Sequence, residues 1–471
     1  MKLVISKNAN INYLAKVVDL IEFHPHPDSE VTKLKCAYVD GYNIIIGIDS
    51  KPGKYIYFPT SSTINPQLLS FANLYRHSER NSNPEQTGMF EDNGRVKAIK
   101  LRGCISEGFL LPVDILCNWI VTNTNIEIPE VELKSNLEFD SIEHNNKNIW
   151  ICKKYIVERR SYNNSQNRYN KRQKKLKQFD RIIENQFRFH YDTSQIKRCP
   201  NVISPDDIIS ITSKWNGTSH ISAYVLTKHP ISLIKRIGNF ISGRGFKSYE
   251  IDYDYVYSSR TVIKNQYYNK NVSPGFYGID VWGEIDKYLR PYLIKGMTIY
   301  CEICGFTPDG KFIQKNYDYG CVPPKDGETY TPEKHFKVRI YRITLTNPDG
   351  IVHEFSPSEV QIWCKTHNLH AVDEFYYGYA GDLYPELKQD VNGEPMYCED
   401  WFNEFINCLA NDKDFYMELK SPDCVNNVPH EGIVIKQDKM KSEAWKLKTF
   451  AHLNKEQKEL DAGIENIEDN A

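Results

Sequence analysis

The alternating run Ile208-Ile209-Ser210-Ile211-Thr212-Ser213 ends abruptly in Lys214-Trp215-Asn216-Gly217-Thr218. Alternation of apolar and polar residues marks a half-buried strand, and Asn-Gly marks a tight turn. The spacing therefore predicts a strand that delivers a lysine amine to the mouth of a pocket. Such an amine can attack phosphorus or carbon once its surroundings favour the neutral form, which alone is nucleophilic. An ordinary hairpin turn carries the same residues, so a functional reading needs partners from elsewhere in the chain.

The length of 471 residues favours two or three domains, each with its own core. A formal net charge of -2 means that any nucleic-acid surface is local. No apolar run approaches the roughly 20 residues that span a bilayer. Met1 to Ser6 is followed at once by polar residues, so no secretory signal is expected. Twelve cysteines without framework spacing fit a reducing cytoplasm.

Residues 1–115 predict a small all-β barrel or sandwich. Short apolar or alternating runs (14–22, 34–40, 43–48, 55–58, 96–101 and 108–111) are separated by turn signals such as Asp40-Gly41 and Lys51-Pro52-Gly53. His24 and His26 sit between prolines in an extended loop, with no further ligand at metal spacing, so no metal is expected there. The polar stretch 73–93 predicts a mobile loop. Residues 116–184 read as a polar and basic linker. Its run Lys171-Arg172-Gln173-Lys174-Lys175-Leu176-Lys177 is either a solvated face or a source of cations for a phosphate backbone. Residues 185–453 alternate strands and turns, with helical periodicity at 231–241 and 400–408. The acidic stretch 454–471 predicts a disordered tail.

Four further stretches can partner Lys214. Arg260 stands at the edge of an apolar run, and Tyr300-Cys301-Glu302 places a carboxylate mid-strand. Glu431 opens the strand Gly432-Ile433-Val434-Ile435-Lys436, and Lys446 and Lys448 lie two apart on one strand face. Each alone is also a surface charge or an edge-strand lysine. Cys301 and Cys304, three apart on a strand, point to opposite faces and are expected to pack rather than bind metal. The cluster Phe375-Tyr376-Tyr377-Gly378-Tyr379 is expected to be packing.

In this order the stretches resemble motifs I, Ia, III, IV and V of the covalent nucleotidyltransferases, a superfamily of ATP-dependent DNA ligases, RNA ligases and mRNA capping enzymes. Asn216 at the third position of Lys214-Trp215-Asn216-Gly217-Thr218 resembles the RNA ligases. The stretch from Ile21-Glu22-Phe23-His24-Pro25-His26-Pro27-Asp28 to Lys100–Pro112 is similar to the N-terminal OB domain of the Deinococcus-type (fifth class) RNA ligases, as is Phe187–Gln195 to the segment before their catalytic core. The resemblance implies an α+β chain: a nucleotidyltransferase (ATP-grasp-like ligase) core of antiparallel sheets with helices over 185–453, behind an OB barrel over 1–115.

It also implies roles. Lys214 attacks the α-phosphorus of ATP and becomes a lysyl-AMP. Lys446 and Lys448 contact the α-phosphate, and Glu431 holds a Mg²⁺ or Mn²⁺ ion. Asn216 and Glu302 bind ribose hydroxyls, Arg260 binds ribose or phosphate, and Gly217 belongs to the nucleotide-binding turn. Tyr341 is the expected adenine-stacking aromatic, with Val338 as the rival register. Ser213 stands where many relatives carry a Glu that contacts adenine. The implied partner is a nicked RNA or RNA-containing duplex, joined by a monomer with no membrane association. A capping-type guanylyltransferase, a non-catalytic nucleic-acid-binding module and a tRNA-binding accessory factor are the alternative readings.

Overall fold

Two antiparallel sheets carry the second half of the chain, and the strand ahead of Lys214 belongs to one of them while the strand after it belongs to the other. The computed structural model describes residues 2–7, 9–124, 133–144, 147–157, 181–242, 248–264, 276–389, 393, 394, 396, 398–439 and 443–464. The basic run 171–177 and the polar run 161–168 lie outside the described residues.

The five-stranded sheet runs β15 (Ser194–Gln195), β25 (Ala444–Lys448), β24 (Gly432–Gln437), β16 (Ile208–Ser213) and β23 (Glu374–Tyr379). All its pairings are antiparallel except the parallel β15–β25 edge. The six-stranded sheet runs β19 (Ile263–Lys264), β18 (Tyr249–Ser258), β17 (Thr218–Pro230), β20 (Met297–Gly305), β21 (Phe336–Thr346) and β22 (Val352–Glu354). The Lys214 turn is thus a crossing from sheet to sheet and not a hairpin: β16 pairs with β23 and β24, and β17 with β18 and β20.

Period-two alternation decides what each strand gives to the core and what it gives to the site. In the five-stranded sheet Ile209, Ile211, Ile433, Ile435, Trp445 and Leu447 form one core with the helix Cys398–Asn411. Burial of each such side chain stabilises by about 1.5–3 kcal/mol. The intervening Thr212, Val434, Lys436, Lys446 and Lys448 line a cavity. In the six-stranded sheet Ile299, Cys301, Ile303, Val338 and Ile340 pack with the helices Val281–Leu289 and Pro357–Thr366. Glu302 and Tyr341 line the same cavity from that side. Cys301 and Cys304 fall into different clusters, Cys304 packing with Trp215, Tyr317 and Tyr319. The eleven cysteines whose side chains are described are free thiols. In the aromatic cluster, Phe375 and Tyr376 pack on the core beside β23, whereas Tyr377 and Tyr379 are about half exposed.

Among the described residues the N-terminal unit is all-β apart from the α-helices Pro66–Phe71 and Val113–Thr124 and the short 3-10 helices Ile11–Tyr13 and Ser78–Arg80. Its sheets are β10 (Phe109–Pro112), β6 (Gly53–Phe58), β2 (Ala15–Leu20) and β11 (Glu138–Phe139); β3 (His24–Pro25), β4 (Leu34–Val39) and β5 (Tyr42–Gly47); and β1 (Lys2–Val4), β12 (Ser141–His144) and β13 (Lys147–Trp150). The pairs β8 (Ala98–Leu101) with β9 (Cys104–Glu107) and β7 (Ser62–Ile64) with β14 (Cys152–Lys154) complete it. This corrects the expected boundary at 115. Trp119, Phe139, Ile142, Ile151 and Cys152 share one core with Val17, Ile56 and Phe58. Their polar surroundings had marked the stretch as linker. The stretch 73–93 also departs from a mobile loop: Tyr75 and Phe90 are buried, and Asn81 donates to the carbonyls of Tyr75 (3.0 Å) and Gln86 (2.7 Å).

The disordered tail expected over 454–471 is corrected where it begins, because Phe450–Asp461 is a helix, while 465–471 lie outside the described residues. Thr449 Oγ1 accepts from the His452 N–H at 3.1 Å, and the Glu418 carboxylate accepts from the Phe450 and Ala451 N–H groups. These oxygens satisfy donors that a helix start leaves open. The acidic residues of this stretch are engaged rather than solvated. Asp461 pairs with Arg95 (2.6 Å) and Lys97 (3.0 Å) of the N-terminal unit, and Glu456 pairs with Lys448 (3.1 Å). A second clamp joins the units where Lys197 meets Glu107 (2.6 Å) and Arg198 meets Glu138 (2.7 Å). Among the described residues no helix is long and apolar enough to cross a membrane.

Candidate active site

Backbone and aromatic contacts fix the turn between the sheets. The Lys214 N–H donates to the Gly432 carbonyl (2.9 Å), Asn216 N–H to Tyr319 Oη (2.6 Å) and Gly217 N–H to Glu302 Oε1 (3.1 Å). Trp215 stacks on Tyr319 at 4.3 Å and donates from Nε1 to Asp373 at 3.1 Å. Gly217 is required by close approach: a Cβ there would lie 2.2 Å from the Ile303 carbonyl oxygen and 2.6 Å from Cys304 Sγ.

Lys214 Nζ reaches Glu431 Oε1 at 2.7 Å, and Lys448 Nζ reaches the same oxygen at 3.4 Å. The Glu431 side chain is 3% exposed, so this is a buried carboxylate between two lysines. An ion pair favours the charged form of its cation. Attack by Lys214 therefore needs Glu431 drawn to another positive centre, and Lys448 is already placed to share it. Across the cavity Asp192 bridges Arg260 (2.8 Å) and Lys446 (3.2 Å) and accepts from Asn10 Nδ2 at 2.8 Å. Burial works against the Asp192 carboxylate, but Lys446 and Arg260 outweigh it and hold its pKa below the usual range.

The cavity, of about 290 Å³, is lined by Lys214, Asn216, Arg260, Glu302, Tyr341, Lys446 and Lys448. Of the other two sequence-predicted residues, Gly217 sits behind Glu302 and Glu431 behind Lys214. Tyr341 faces the cavity beside His190 (ring centroids 4.9 Å apart) and Ser219 (Oγ to Oη 3.2 Å), whereas Val338 belongs to the core of the six-stranded sheet. Ser213 is buried with Oγ 3.1 Å from His430 Nε2.

Several lining residues were not singled out from sequence. Asp192 lies inside the quoted stretch 187–195, but no spacing marks it. Tyr13, Lys154 and Tyr155 come from the N-terminal unit, and Lys455 and Glu456 from the helix that replaces the expected tail. Burial lowers the Glu456 competence to ionise, yet Lys448 and His452 overcome this and hold its pKa well below the ordinary value.

Lys436 Nζ donates to the Tyr341 carbonyl, and burial brings its pKa from 10.5 to about 8, with Glu354 opposing and Arg342 adding to the shift. The unfolded chain then binds more protons between those two values, so stability contributed by this site rises through that window. Below about pH 8 the cost of the buried cation is present in full. Lys436→Met is expected to melt above the wild type at about pH 7.5 and to lose that advantage by about pH 10. Parallel thermal melts at the two pH values check this; an advantage unchanged with pH counts against it.

Among the described residues no three His, Cys, Asp or Glu side chains converge as a metal cluster. A hard divalent cation fits Glu431 only in the manner of Mg²⁺ bound by one or two carboxylates, with the remaining ligands from phosphates and water.

No protein-family profile and no curated protein matches the chain. Among solved structures, the chain is similar to a mutant of Naegleria gruberi RNA ligase with AMP and Mn, at 14% identity and a TM-score of 0.49 over 94% of this chain and 98% of that one. A second mutant of that ligase, with ATP and Mn, gives 14% identity and a TM-score of 0.48 over 95% and 99%.

Proposed function

We propose that the chain is an ATP-dependent RNA ligase that joins 3′-hydroxyl and 5′-phosphate ends at nicks in duplexes. One observation supports this most: Lys214, Asn216, Arg260, Glu302, Tyr341, Lys446 and Lys448, spread over more than half the catalytic region, line a single cavity with Glu431 paired to Lys214. In this reading Tyr341 and His190 hold adenine, Glu302 and Asn216 the ribose, and Arg260, Lys446 and Lys448 the phosphates. Lys214 Nζ forms a bond to the α-phosphorus as the bond to pyrophosphate breaks, and the amine loses a proton. Lys446 and Lys448 stabilise charge that develops on the phosphoryl oxygens. AMP then passes to the 5′-phosphate of the polynucleotide, and the 3′-hydroxyl displaces it to close the phosphodiester. A Mg²⁺ or Mn²⁺ ion beside Glu431 would neutralise phosphate charge. The N-terminal unit serves as an OB-type nucleic-acid-binding domain, and the enzyme works as a monomer.

The test is incubation with ATP labelled at the α-phosphate, followed by denaturing electrophoresis and a sealing assay on all-RNA, all-DNA and mixed nicks. Label retained by the protein, and sealing only where RNA supplies the 3′-hydroxyl, are expected. Label from GTP but not from ATP would make the chain a guanylyltransferase, and RNA binding with no adduct would make it a binding module.

A further inference from the structure

Beyond the cavity a shallow open groove runs along the helix Phe450–Asp461, and the two share Lys315, Lys455, Glu459 and Ile464. Four lysines line the groove: Lys315, Lys420, Lys455 and Lys458. Its two carboxylates are already engaged. Glu418 accepts from the Phe450 and Ala451 N–H groups, and Glu459 pairs with Lys455 at 2.8 Å. Lys420 donates only to the Val425 carbonyl (2.9 Å), and among the described residues Lys315, Lys420 and Lys458 have no carboxylate partner. Three lysines without a carboxylate partner among the described residues, in a groove opening directly from the cavity, match the spaced charges of a phosphodiester backbone.

We propose that this groove carries the backbone of the substrate RNA away from the reacting end, with Lys420 and Lys458 as phosphate contacts. The assignment rests on the ligase reading for its substrate, but not for its charge pattern. Phosphate contacts of this kind position the strand without reading its sequence, so the groove takes RNA of any sequence.

The experiment compares the full-length wild type with Lys420→Ala/Lys458→Ala. Neither residue lines the cavity, so covalent labelling by ATP should be unchanged in the variant. Anisotropy with a fluorescent nicked RNA duplex, over a series of salt concentrations, should show affinity falling by roughly tenfold. The slope of log affinity against log salt should shrink by between about one and two. Lys420→Arg/Lys458→Arg should restore both, which separates loss of charge from loss of fold. Unchanged affinity and slope in the alanine variant would overturn the proposal. So would binding of a labelled polyglutamate, lost in that variant while RNA binding persists, since the groove would then serve an acidic protein segment. Absence of ATP labelling in the wild type strikes the ligase reading instead, and leaves the RNA-binding result to judge the groove.

Discussion

Lys214→Ala is expected, on the proposed mechanism, to take up no label from ATP, a loss far beyond the roughly 10²–10³-fold expected there for removing Lys446 or Lys448. The difference is one of role. A nucleophile forms the bond that is measured, whereas a neighbouring cation only lowers the barrier to it. Geometry sharpens the comparison, because Lys214 is also the 2.7 Å partner of a buried carboxylate. Removing it leaves Glu431 with Lys448 at 3.4 Å, so some loss of stability accompanies the loss of label. Lys214→Arg separates the two effects. It keeps a cation opposite Glu431, and should melt near the wild type while taking up no label. Uptake of label by either variant would remove Lys214 from the mechanism.

Gly217→Ala should disrupt the turn that carries Lys214. The added carbon would meet the Ile303 carbonyl oxygen at 2.2 Å, and that oxygen is fixed in the middle of a six-stranded sheet. The turn must retreat from β20, which breaks the Gly217 N–H bond to Glu302 and shifts Asn216 and Lys214 with it. Overpacking of this kind costs about 1–3 kcal/mol, and a displacement of about 1 Å in a reacting group can cost 10²-fold in rate. Gly47→Ala is the control. A Cβ there has nothing within 4 Å, so melting temperature and label uptake should both stay at wild-type values. Equal behaviour of the two variants would show that the turn has slack the geometry denies.

The strand pattern made much of this site legible. The alternation in Gly432–Lys436 and Ala444–Lys448 separates Ile433, Ile435 and Trp445 in the core from Val434, Lys436, Lys446 and Lys448 at the cavity, with Leu447 touching both. Relations between distant segments were not legible. Ile208–Thr218 reads locally as a hairpin, and only the pairing of β16 with β24 and of β17 with β20 turns it into a passage between sheets. Asp192 carries no pattern of its own, since its meaning comes from Arg260 and Lys446, which are far away in sequence. The stretch 454–461 misled for the opposite reason. Its charges read as solvated because Asp461 finds Arg95 and Lys97 in the N-terminal unit, while Glu456 finds Lys448 on β25 and Glu459 finds Lys455 within the helix. The same holds between 116 and 154, where Leu116, Trp119, Ile120, Phe139, Ile142, Ile151 and Cys152 join a core assembled largely by other strands.

The cavity draws its walls from Asn12 through Ile464, with the helix Phe450–Asp461 fastened to Arg95 at its last residue and to Lys448 at its middle. Contacts of such long range close late, because the loop entropy must be overcome before they contribute. A ribosome making this protein therefore carries a chain whose earlier domains can fold as they emerge, but whose Lys214 has no finished surroundings until the helix has left the exit tunnel. On the proposed reading, nascent and truncated copies that lack the helix should take up no label from ATP.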